Sequence, residues 1–408
     1  MIALNKTLLL DLLSQPTAPF KEGHVLSWIR TILKEHDIPH FLDRHQNIVL
    51  GVSSLRDYRA LLKSKKNRPF FLFAAHMDHP GFHGSEWISE KLLQVKWHGG
   101  TPTSHLEGSS VWIQTDASST IQWRESGRIH KATLSAHGRS IDTALVELEK
   151  PIDFKIKPSQ VMGGFQFKAP VWSENELIYT HAADDLVGCF SILSLALQYL
   201  APQKQKRKTR PRSQNKKAPL SPPFLGLLTR AEEVGFIGAL AHLDCGDLAR
   251  ARARVHFISL ETSRTLPGAE IGKGPIVRLG DRFTVFDPGL LRGLIEIAEK
   301  TLPGKYQKRI MDGGSCEATA SSAFGLPSMG ISIPLGNYHN QSLEGGEGAA
   351  PAGGPAPEFV HEGDIHGMLH LCEGLILSEF NWMDPWRSKR KELKNLLRNY
   401  SRLLKQSP

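Results

Sequence analysis

Eight polar residues of this chain have the types and spacing for metal chemistry, and most of them follow directly on an apolar run. Phe70–Ala75 (FFLFAA) leads into His76 and Asp78, Phe224–Thr229 (FLGLLT) into Glu232 and Glu233, and Val255–Leu260 (VHFISL) into Glu261. His339 comes a short loop after Met329–Ile333 (MGISI), and Asp184-Asp185 precedes the helical pattern Gly188–Leu200. Two histidines with several carboxylates form the ligand set of a dinuclear zinc site. Two cations about 3.5–4 Å apart need a shared anion, which one carboxylate of Asp184-Asp185 would supply. One ion would take His76 and Glu261, the other Glu233 and His339. Asp78 is placed to hold the second ring N–H of His76. Of the adjacent glutamates, one ligates while its neighbour takes a proton from the attacking water, the division of labour of a hydrolase.

Such residues work only if the fold brings them together. The four apolar runs read as buried strands, and helical patterns, among them Gly188–Leu200 and Pro288–Thr301, fall between them. That alternation predicts an α/β domain with a mostly parallel central sheet flanked by helices. In such sheets the carboxyl ends of the strands line the ligand crevice, where the candidate residues would converge. Residues 5–36 read as one or two amphipathic helices broken at Gln15–Pro19. Short alternating segments between 84 and 172, such as Ser110–Thr115, Ile121–Trp123 and Ala144–Leu148, predict an inserted β-rich domain. The catalytic domain is then discontinuous, 1–83 and 173–385. The basic run 201–223 and the Gly/Ala/Pro-rich stretch 345–357 read as loop insertions with little structure, and 386–408 as a basic amphipathic tail.

Composition narrows the class. With 408 residues, 40% hydrophobic and 22% charged, the chain builds a substantial core. No apolar run reaches 18 residues and no signal peptide opens the chain, so no membrane partner and no export are expected. Four cysteines without a CxxC pair indicate neither a cysteine metal cage nor a disulfide framework, and point to a reducing cytoplasm. Of the net charge of +9, residues 203–217 contribute +8 and 387–405 contribute +7, which leaves −6 for the rest. The basic runs read as solvated segments, and the lack of aromatic interleaving in 203–217 argues against nucleic acid. His79, His83, His105, His137 and His181 read as surface or loop residues, and Cys316 and Cys189 as packing residues.

AHMDHPGF (75–82), HAADDLVGC (181–189), RAEEVGFIGA (230–239), MDGGSCEA (311–318) and GISIPLGNYHNQSLE (330–344) resemble, in order and spacing, the motifs of the co-catalytic zinc aminopeptidases of the glutamyl or tetrahedral aminopeptidase family. The resemblance implies a zinc exopeptidase-like fold with a small β-barrel inserted after the first metal ligand, and assembly into dimers or dodecamers. It makes His76, Asp184, Glu233, Glu261 and His339 the metal ligands, with Asp184 bridging. It makes Glu232 the general base and Asp78 the orienter of His76. Glu261 stands where the family has aspartate, His79-Pro80 replaces Glu-Ile, Leu186 an arginine, and Ser315-Cys316-Glu317 a Thr-Asp pair. The expected activity is release of N-terminal residues from peptides by metal-activated water, by a homo-oligomer with two divalent ions per chain. Zinc is the first choice, with cobalt or manganese as substitutes. The alternatives are a metal-dependent amidohydrolase or deacylase on a small substrate, or an inactive binding scaffold.

Overall fold

The four apolar runs become neighbouring strands of one sheet, Phe224–Thr229, Phe70–His76, Val255–Arg264 and Ser328–Leu335, all parallel. The structure, a computed structural model, describes residues 2–64, 69–152, 155–202, 222–252 and 254–406, so most of the basic run 201–223 lies outside the described residues. Strands this apolar on both faces must be covered on both sides, and side-chain alternation sorts the covering. Phe71, Phe73 and Ala75 pack with the helices Lys6–Leu13, Gly23–Glu35, Leu186–Tyr199, Pro288–Thr301 and Glu362–Leu377. Phe70, Leu72 and Ala74 pack with Leu55–Lys63 and Ile237–Asp244 on the other face. The strand pair His40–Leu42 and Ile48–Leu50 joins antiparallel at one edge. At the other, Ile276–Asp281 pairs antiparallel with Ser328–Leu335 and parallel with Gln307–Met311, giving the eight-stranded, mostly parallel α/β sheet.

Register sets the level of the site. Thr229 pairs with His76 and Ser259 with Ala74, which puts Glu261, two residues on, level with His76. Glu261 therefore lies inside a strand that runs to Arg264, and His76 is the last residue of its own strand. The expectation that both follow their strands is corrected accordingly.

Between the sheet's first parallel strand and the Asp184 segment, six antiparallel strands close into a barrel. In spatial order they are Gly81–Ser89, Leu92–His98, Ile141–Leu148, Arg124–Leu134, Ser110–Thr115 and Val161–Phe165. Phe82, Val95, Trp97, Ile113 and Val146 fill its interior. Ile121–Trp123, expected as a strand, lies in the turn before Arg124. The Leu186–Tyr199 helix starts two residues before the pattern suggested. It is buried on every side from Leu186 to Ala196, the mark of a helix inside a core.

The 345–357 stretch holds no helix or strand, and its last residues are anchored. Gly354–Pro357 is buried, and Ala356 N–H donates to the Asn340 carbonyl at 2.8 Å. Asn337 clamps both ends of the stretch: its amide donates to the Gly345 and Pro357 carbonyls, and its Oδ1 accepts from Leu343, Glu344 and Gly345 N–H. Backbone and amide bonds here replace the bulky apolar side chains that the stretch lacks. No helix among the described residues is long and apolar enough to cross a membrane.

Candidate active site

The sheet's carboxyl end gathers the candidate residues around Asp184, whose two carboxylate oxygens face different partners. Oδ1 lies 3.4 Å from His76 Nε2, which is itself 3.5 Å from Glu261 Oε1. Oδ2 lies 3.7 Å from His339 Nε2, which is 3.1 Å from Glu233 Oε2. Glu232 Oε2 stands 3.8 Å from His76 Nε2. Asp184 Oδ1, Glu233 Oε1, Glu261 Oε2 and His339 Nε2 are all buried without a hydrogen-bond partner, although such groups are nearly always bonded. Three overlapping groups, His76 with Asp184 and Glu233, His76 with Glu232 and Glu261, and Asp184 with Asp185 and Glu261, have ligand atoms mutually within 4.8 Å. This is the chemistry of a cation cradle.

The residues behind the cluster hold it in shape. His76 Nδ1 meets the Asp78 backbone carbonyl at 3.0 Å, while the Asp78 carboxylate, 3.6 Å away, accepts Glu232 N–H at 2.9 Å and Glu233 N–H at 3.1 Å. Sequence reasoning had the Asp78 side chain hold the ring. In the structure the Asp78 carbonyl is the nearer partner of the ring, and its carboxylate, 3.6 Å off, is shared with the glutamate pair. Asp185 caps the following helix: Oδ1 accepts Gly188 N–H at 3.1 Å and the Thr262 hydroxyl at 3.0 Å. A Cβ on Gly188 would sit 2.3 Å from that carboxylate, so only glycine fits there. The peptide between Asp184 and Asp185 is cis.

Four supporting residues escaped the sequence reading. His79, expected at the surface, is buried; its Nδ1 lies 2.7 Å from the Asp184 carbonyl and its Nε2 3.1 Å from Asn340 Oδ1. His181 is buried as well. Glu358 Oε2 accepts Ala183 and Asp184 N–H at 2.8 and 3.1 Å, while Oε1 accepts His339 N–H at 2.9 Å, tying two ligand segments to one carboxylate. Glu317 lies beneath the cluster, accepting the Thr229 hydroxyl at 2.5 Å and the Ser259 hydroxyl at 3.2 Å. His79 shares a motif with His76, but its inward turn depends on the Asp184 carbonyl, 105 residues away. Glu358 lies beyond the Gly/Ala/Pro-rich stretch and carries no local signal.

Crowding sets the electrostatics. Burial, reinforced by repulsion from Glu261, pushes Asp184, Asp185 and Glu232 well above the usual carboxylate range. Burial also lifts Glu317 to about 7 and Glu358 to about 8. Burial opposes charge on His76, yet Glu232, Asp184, Asp78 and Glu261 together hold its pKa well above 6.5. Glu261 is the exception among the acids: burial opposes its charge, but His76 and Arg278 keep it below its ordinary value. So much buried negative charge calls for protons or cations to balance it.

The cluster opens into a cleft whose farther walls include Ser263, Arg264, Leu266, Arg278 and Met311. Tyr338 lines it too and stacks on the His339 ring with centroids 3.7 Å apart. Gly100 also comes so close to that ring that a Cβ there would lie 2.1 Å from His339 Nδ1. The residues after the barrel's second strand therefore help fix the histidine. Cys316 is buried at the head of the Glu317–Ala323 helix.

Residues 58–343 match the M42 glutamyl aminopeptidase family, a span that runs from before His76 to beyond His339. The chain belongs to that family, and it is a peptidase, a hydrolase of the aminopeptidase class. No curated protein matches it. Among solved structures it is similar to an aminopeptidase from the archaeon Desulfurococcus kamchatkensis, at 19% identity over 93% of this chain and 97% of that one, with a TM-score of 0.68. A TET aminopeptidase from a marine-sediment thaumarchaeon is 18% identical over 93% and 99%, with a TM-score of 0.67. The TET1 peptidase of Pyrococcus horikoshii, which can assemble into a tetrahedron or a large octahedral shell, is 17% identical over 91% and 98%, with a TM-score of 0.65. Likenesses at this identity establish the shared fold.

Proposed function

We propose that this peptidase removes N-terminal residues from peptides with two divalent ions, zinc first, held by His76, Asp184 and Glu261 on one side and Asp184, Glu233 and His339 on the other. The observation that carries the reading is the split of Asp184, one oxygen toward each histidine. Metal–ligand arms of about 2.0–2.1 Å at tetrahedral angles separate neighbouring ligand atoms by about 3.3 Å. The distances of 3.1–3.7 Å between the facing nitrogen and oxygen atoms of these residues fall around that value. Divalent ions held there would polarise the scissile carbonyl and acidify the attacking water.

The chain's own residues do the rest. Glu232 ligates nothing in this scheme and stands at the cleft wall, placed to take the proton from the attacking water and pass it to the leaving amine. Asp78 keeps Glu232 and Glu233 in their separate roles through their backbone N–H groups. Glu358 fixes the Asp184 and His339 backbones. By analogy with the Pyrococcus horikoshii peptidase we infer a homo-oligomer, and free cysteines throughout the described residues suit a reducing, cytoplasmic setting. The experiment is metal content per chain together with amino-acid release from a peptide pool, with and without a chelator. About two divalent ions per chain and chelator-sensitive release of N-terminal residues are expected; release that survives metal removal would overturn the reading.

A further inference from the structure

The helix Arg387–Gln406 runs for 20 residues, and among the described residues the hydrogen bonds and ring contacts that tie it to the body lie at its first turn. Arg292 reaches the Pro385 carbonyl and the Ser388 hydroxyl, and its guanidinium lies over the Trp386 ring. Beyond that turn Leu393, Leu396, Leu397, Tyr400, Leu403 and Leu404 are 46–69% exposed. At about 100° per residue these six fall in one stripe, and Arg390, Lys391, Lys394, Arg398 and Arg402 fill the adjoining arc. Glu392 is the one acid between 387 and 405.

Each occupant that might cover this stripe makes a different electrostatic demand. A freely solvated helix has no use for six contiguous apolar side chains. Nucleic acid would use the basic arc and leave the leucines bare. Pairing with the same helix of a second copy would lay the two basic arcs beside one seam, like charge against like. An anionic bilayer satisfies both arcs at once: leucines enter the acyl boundary while the cations meet the headgroups. Charge separation along the chain fits the same partner, because 387–405 carries +7, whereas the chain outside this helix and 203–217 carries −6. Such a surface attracts the helix and repels the body.

We propose that Arg387–Gln406 is an interfacial helix that docks this peptidase on anionic lipid surfaces, lying in the headgroup plane without crossing. The expectation of no membrane partner came from the lack of an apolar span, and such a span is not what this helix uses. The test is sedimentation of the full chain with large vesicles, of phosphatidylcholine alone or with phosphatidylglycerol added. Binding is expected only to the second kind, weakening steeply as salt shortens the range of the attraction. The double variant Leu397→Glu/Leu404→Glu should lose at least about tenfold in binding, and Arg398→Glu/Arg402→Glu likewise, since each basic residue near such a surface contributes about 1 kcal/mol. Both should keep the parent's melting temperature and peptide hydrolysis, because the stripe is exposed and none of its residues lines the site. The proposal falls if the full chain ignores both vesicles, or if the leucine variant binds as the parent does. It falls equally if the parent ignores vesicles while the leucine variant changes oligomeric state or the parent retains RNA, since the stripe then covers a second copy or the arc serves nucleic acid.

Discussion

The strand ends around Asp184 and the helix Arg387–Gln406 both concentrate charged side chains, and they handle charge in opposite ways. At the strand ends, carboxylates are buried, backbone N–H groups and histidines are spent on holding them, and the atoms left without partners converge. In the helix, cations and leucines alike stand in solvent with hardly a tertiary contact. The difference shows what each kind of order rests on. Buried charge must be organised by the whole fold, because each unpaired group costs several kcal/mol. Exposed charge needs only a local helix, and its partner must come from outside.

The contrast would break first at Glu232. Glu232→Gln should lower kcat by about 10²–10⁴-fold with metal content unchanged, as expected for loss of a proton acceptor; unaltered turnover in a steady-state assay would remove it from the chemistry. The core beneath should respond almost as strongly: Phe73→Ala, at a fully buried strand position, should cost about 3–5 kcal/mol in denaturant unfolding. Glu358→Gln keeps the shape but weakens the acceptor shared by the Asp184 and His339 backbones. A drop of about 10–100-fold in metal affinity should appear in competition with a chelating dye, and no change would reduce Glu358 to packing.

Smaller effects sharpen the comparison. Asp43 sits between Asn47 and His242, and although burial opposes its charge, hydrogen bonds from those two hold its pKa below 3.8. A depressed carboxylate contributes stability above its unfolded pKa and loses it as pH falls through the folded one. Asp43→Asn should therefore lower the melting temperature at neutral pH and converge on the parent as pH falls through the depressed pKa of Asp43. Smallest of all, Leu397→Glu in the exposed helix should change unfolding free energy by no more than about 0.5 kcal/mol. A larger cost would mean the stripe is packed after all.

Much of the centre was legible along the chain. FFLFAAH and FLGLLT announce buried parallel strands by apolar length, and polar residues at the close of such runs are where a parallel sheet places its ligands. What escaped was long-range. His79 is a second polar residue in its motif, and nothing local says that its ring turns inward to the Asp184 carbonyl. Glu358 is one acid beyond a stretch of small residues, and its role exists only where three backbone segments meet. Residues 345–357 lack bulky side chains, yet the Asn337 amide anchors them, a bond that composition does not register.

By itself the sequence determined the strands, the barrel's alternation, the identity of the seven candidate site residues and the segregated faces of the last helix, because periodicity and residue type are properties of neighbours. Only the tertiary structure decided the rest. Sheet register set Glu261 level with His76, the close approach at Gly100 fixed His339, and the Asp78 carboxylate came to hold the backbones of both glutamates. Each of these depends on groups far apart in the chain, whose distances are set by packing and by the need to satisfy every buried polar atom.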